Sequence, residues 1–136
     1  MVNHKFNYIG LVVLFFSLYS YGMDECAESK RKFGDQISRI LLDKRENIEA
    51  ICNEVYHEED IKALSSCYHQ SKSIANAMHI DPKTMRSIFT DTVISHLADV
   101  EPGSDSYRKQ QFTALFEPKI KTILDREDSL AIFNAL

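Results

Sequence analysis

The chain has 136 residues, with 16 lysines and arginines against 20 aspartates and glutamates, and a net charge of −4 at neutral pH with its five histidines uncharged. An acidic chain of this kind excludes nucleic acid as a partner, because phosphate binding is driven by clustered Lys and Arg, and the one short basic run, "KRK" at 30–32, sits among acids. Four glycines, two of them before residue 23, leave no glycine-rich phosphate loop.

The first seven residues, "MVNHKFN", carry Lys5 and no acid, and Tyr8 to Gly22 are almost wholly apolar. The dense stretch Ile9 to Leu18 has the length of a signal-peptide core and falls short of the roughly 20 residues a spanning helix needs. Residues 1–22 therefore read as a signal peptide. The small residues Ser20 and Gly22 set cleavage before Met23, with cleavage after Ser20 as the second choice and an uncleaved anchor as the competing reading. Residues 23–136 then form a single secreted, extracellular helical domain with no membrane attachment after cleavage. Losing Lys5, the only charged side chain of the leader, moves the net charge from −4 to −5. Asn47, Asn53, Asn76 and Asn134 all lack a hydroxyl two residues on, so no N-linked glycan is expected.

From Asp24 to Tyr56 the apolar positions Phe33, Ile37, Ile40, Leu41, Ile48, Ile51, Cys52 and Val55 recur at helical spacing. Gly34 interrupts the pattern, and the polar "DKREN" at Asp43 to Asn47 marks a break. A second stripe, Ile61, Leu64, Tyr68, Ser71, Ala75 and Met78, alternates steps of three and four and defines one face of a helix. In "HIDPKT", Asp81 is an N-cap and Pro82 suits the first helical position. A third helix follows, with Met85, Ile88, Phe89, Val93 and Leu97 inward.

The loop "EPGSDS" precedes a fourth helix capped by Ser104 or Asp105 and carrying Tyr107, Phe112, Leu115 and Phe116. Pro118 removes a backbone donor and predicts a kink or fresh start. Ile120, Ile123 and Leu124 continue on a short fifth segment, and Asp128 or Ser129 caps a last turn. No alternating strand pattern or hairpin turn competes. The predicted fold is all-α, a small bundle of four to six helices.

Three cysteines remain. If helices run to about Tyr56 and from about Ile61, Cys52 and Cys67 lie level across an antiparallel hairpin centred near residues 59 and 60. In a secreted protein this predicts a disulfide staple between the first two helices. Closing the 14 intervening residues contributes about 3 kcal/mol. Cys26 is left odd, four residues from the mature N-terminus, and points to a disulfide-linked homodimer, with a free or capped thiol as the alternative.

Chemical motifs fail in turn. "HEEDI" begins like a zinc-protease motif, but Ile61 stands where the second histidine must be. Cys52, His57, Cys67 and His69 lack the close ligand pairs of a zinc site, so "HEED" reads as an acidic helix start with His57, Glu58 or Asp60 as cap. "DVEPGSD" puts Gly103 and Ser104 where a calcium loop needs a ligand and a glycine. His69, His79 and His96 fall on separate helices, and no nucleophile is paired with a base.

No enzyme, cofactor or metal is expected. The function predicted is that of a secreted non-enzymatic interaction protein presenting a helical surface to an extracellular macromolecular partner. The alternative is a carrier enclosing a small apolar ligand, lined by Phe89, Tyr107, Phe112, Phe116 and Phe133.

Overall fold

The computed structural model describes residues 27–53 and 55–135. The expectations for the signal peptide at residues 1–22, its cleavage site and Cys26 lie outside the described residues. The chain divides between Lys32 and Phe33, and the bundle is built from Phe33 onward. The described residues form five helices and no strands, so the all-α expectation holds.

Residues 27–42 are helical and form α1. Phe33, Ile37 and Leu41, one turn apart, are completely buried. The polar "DKREN" does break the helix: Asp43 and Lys44 form a turn, with the Lys44 N–H donating to the Leu41 carbonyl at 3.0 Å. Helix α2, Arg45–Cys52, then buries Ile48 and Ile51.

Helix α3 spans Glu58–Ala77 and begins at His57, whose extended backbone makes it the N-cap. The carboxylate of Asp60 accepts from the His57 backbone N–H and from the side-chain amide of Asn47 on α2, both at 2.8 Å. These two bonds hold the Asp60 carboxyl below its ordinary pKa. The acids of "HEED" thus serve the helix start and its junction with α2. Of the predicted α3 stripe, Leu64, Tyr68, Ser71 and Ala75 are buried, and Ile61 and Met78 are half-buried at its ends.

Helix α3 ends where His79 takes a left-handed conformation (φ 58°). The Ile80 N–H donates to the Ala75 carbonyl and the His79 N–H to Asn76, which is the Schellman arrangement. Helix α4, Pro82–Ala98, starts as predicted: Asp81 accepts from the Thr84 N–H at 3.0 Å, and Pro82 takes the first turn. It ends as α3 does, with Asp99 left-handed (φ 57°) and the Val100 N–H donating to Ser95.

Helix α5 departs most from expectation. Tyr107–Ala135 is one helix of 29 residues, where three short pieces were predicted, and Pro118 lies inside it. Pro118 cannot donate to the Ala114 carbonyl, but both residues are exposed, so that carbonyl can bond water and the helix runs on. The cap is Ser106 rather than Ser104 or Asp105, its hydroxyl accepting from the Lys109 N–H at 3.2 Å.

The core gathers Phe33, Ile37, Leu41, Ile51, Leu64, Tyr68, Phe89, Val93, Ile120 and Leu124 from all five helices. Burial of each large side chain contributes about 1.5–3 kcal/mol before entropy is subtracted. Among the described residues no helix is long and apolar enough to cross a membrane.

Candidate functional site

The predicted staple is not formed. Cys52 and Cys67 are both free thiols and do not lie within disulfide distance. The reason is where the hairpin turns. Helix α2 ends at Cys52 itself and α3 starts at Glu58, so the turn is centred near residue 55, not near 59 or 60. Cys67 then sits nine residues into α3, about 14 Å along its axis from the end level with Cys52. Its thiol points instead toward α1, 4.0 Å from the Ile40 carbonyl. Burial pushes the Cys52 thiol up to about 11 and raises Cys67 as well, which keeps both in the unreactive protonated form at neutral pH.

The histidines stay dispersed. His57 caps α3, His79 forms the α3–α4 reversal, and His69 meets Glu127 at 3.1 Å. His96 is half-buried, and burial, then Arg45, lowers its pKa. Among the described residues no group of three or more His, Cys, Asp or Glu could hold a metal ion. The loop "DVEPGSD" is tied to α4 through Asp91, which accepts from the Gly103 N–H at 3.2 Å and pairs with the buried ammonium of Lys109.

Of the five aromatics expected as a ligand lining, Phe89 lies in the core with Phe112 and Phe116 packed against it, while Tyr107 and Phe133 stand apart. Phe89 is fully buried against Tyr68, with ring centroids 5.2 Å apart. Phe112 and Phe116 are half-buried and make an edge contact with each other at 5.5 Å. Tyr107 and Phe133 are 74% and 73% exposed, at opposite ends of α5 and about 39 Å apart along its axis.

What the fold does assemble is a polar node on α3, α4 and α5. Asp128, expected as a helix cap, lies within α5. Its carboxylate accepts from the Tyr68 hydroxyl at 2.9 Å, from Lys72 Nζ at 2.6 Å and from Arg86 Nη1 at 3.0 Å. Arg86 also pairs with Asp125 and donates to the Lys121 carbonyl at 3.3 Å. Lys72 sits 4.5 Å above the Tyr68 ring. Burial would raise the Asp128 carboxyl, but hydrogen bonds from Lys72 and Tyr68, with the charges of Lys72 and Arg86, hold it below its ordinary value. Burial and the bond to Asp128 push the Tyr68 hydroxyl well up.

Sequence reasoning missed this node because the contacts that join its helices span 35 to 60 positions. A signal was present: Lys72 one turn beyond Tyr68, and Asp125 and Asp128 one turn apart just past the apolar pair Ile123 and Leu124.

Beyond the node α5 turns outward-facing. Leu130, Ile132 and Phe133 are large apolar side chains left exposed, and Leu130 edges an open groove between α3 and α5 with Ile61, Ser65, His69 and Arg126. Ser65 is buried there, and its hydroxyl has no hydrogen-bond partner among the described residues. Val55, Tyr56 and Leu115 are also exposed, and Lys119 Nζ lies 5.1 Å from the Tyr56 ring centroid. No known protein family, curated protein or solved structure matches the chain.

Proposed function

We propose that this protein acts as a secreted, non-enzymatic interaction protein, offering the exposed apolar residues at the C-terminal end of α5 to an extracellular macromolecular partner. The observation that carries this reading is the placement of Leu130, Ile132 and Phe133 in solvent, although the same helix has a filled core to pack against. Leu130 and Phe133, three residues apart, share one face of the helix, and a contiguous exposed apolar patch is a marker of docking surfaces. The carrier alternative is less well supported, because Tyr107 and Phe133, two of the aromatics meant to line its cavity, lie exposed at opposite ends of α5. Secretion itself rests on the signal-peptide reading of residues 1–22, and Cys26 remains the candidate for an intermolecular disulfide.

Labelled protein applied to the surface of intact cells tests the reading. Saturable binding by the wild type, lost in Leu130→Asp/Phe133→Asp with an unchanged helical circular dichroism spectrum, is the expected result. Equal binding by the double variant would remove this surface from the account. A co-purifying apolar small molecule seen in native mass spectrometry would instead favour the carrier. Non-reducing electrophoresis of the secreted product, with Cys26→Ser as control, reports the homodimer.

A further inference from the structure

The way α5 is anchored changes along its length. Its last buried residue is Leu124, and every described residue from Ser129 to Ala135 is exposed. Between them the helix is held to its neighbours by polar contacts: Asp125 to Arg86, Glu127 to His69, and Asp128 to Tyr68, Lys72 and Arg86. We propose that residues 125–135 form an ion-latched arm, which docks on α3 and α4 through these three carboxylates and undocks as a unit while the rest of the bundle stays folded.

The physical basis is the difference in how the two kinds of anchor respond to solution conditions. Apolar burial at Ile120 and Leu124 is insensitive to salt, whereas ion pairs that are a quarter to a third exposed are screened by it. Opening also removes the acceptor of the Tyr68 hydroxyl, the polar tip of the largest fully buried side chain of the core. The latch therefore couples the pose of the apolar residues Leu130, Ile132 and Phe133 to the electrostatics around α3 and α4, whatever those residues bind. The titratable and charged groups that face the three carboxylates are Tyr68, His69 and Lys72 on α3 and Lys83 and Arg86 on α4, with Lys121 beside Asp125 on α5 itself.

The response to pH has a definite sign. The Asp128 carboxyl is held below its ordinary value of 3.8, so its contribution is complete above that pH and is lost as the pH falls through the lower folded value. Salt should open the arm at neutral pH, and acid should do so only below about pH 3.8.

Hydrogen exchange read by mass spectrometry on the full chain tests this directly. In 1 M against 0.05 M sodium chloride at pH 7, amides of residues 125–135 are expected to exchange at least tenfold faster, while those of 64–75 in α3 and 85–98 in α4 hold their protection. Asp128→Asn should reproduce the effect at low salt and abolish most of the salt response. If the arm amides ignore both salt and the substitution, or if they change only together with the core, the latch is overturned. Opening of the wild type already at pH 5 would overturn the assignment to Asp128. The wild-type salt series stands even if the variant folds poorly.

Discussion

Helix α4 buries seven of its 17 residues, from Met85 to Ala98, whereas α5, with 29 residues, buries Lys109, Ile120 and Leu124 alone. Both are regular helices built from similar proportions of apolar side chains, and they pack on each other. The first is enclosed on several sides and serves the core. The second covers the core from Phe112 to Leu124, and past Leu124 it is held by charge at Asp125, Glu127 and Asp128. Apolar content therefore does not tell a core helix from a surface one; the neighbours on each face decide.

The largest expected effect sets these helices against each other. Phe89→Ala in α4 should lose about 3–5 kcal/mol in urea denaturation, since it empties a fully enclosed site beside Tyr68. Phe133→Ala in α5 should stay within about 0.5 kcal/mol of the wild type. Equal losses would break the contrast.

A smaller effect sharpens it. Pro118→Ala returns an N–H to the Ala114 carbonyl on an exposed face of α5, and thermal melting should show a gain of about 1–3 kcal/mol. No gain would mean that the proline is matched by some compensation in the helix around it. The smallest change concerns α4: the hydroxyl of Ser95 is completely buried without a hydrogen-bond partner among the described residues. Ser95→Ala should therefore be neutral or stabilising by up to about 1 kcal/mol, and a clear loss in the same melts would reveal a partner for that oxygen.

The parts of the fold that were legible in the sequence are those governed by near neighbours. The stripe Leu64, Tyr68, Ser71, Ala75 needed only helical periodicity, Asp81 with Pro82 needed only capping chemistry, and the break at Asp43 and Lys44 followed from a run of five polar residues. The failures share a dependence on what lies opposite. Pro118 reads in sequence as a kink or fresh start, because its exposure, which lets the orphaned carbonyl reach water, is a property of the packed molecule. The Cys52–Cys67 staple failed on a shift of four residues in the end of α2, enough to carry one sulfur toward α1. The Asp128 node joins Tyr68 and Lys72, one turn apart on α3, to Arg86 and Asp128, and no local pattern relates the three helices.

The reversals after α3 and α4 have a consequence of another kind. His79 and Asp99 both occupy the left-handed position of a Schellman turn, where a Cβ costs about 1–2 kcal/mol and glycine costs none. Two chain reversals thus carry a penalty unrelated to any buried contact. The protein holds that much stability in reserve, available by replacing one side chain at a helix end and leaving the core and the surface of α5 as they are.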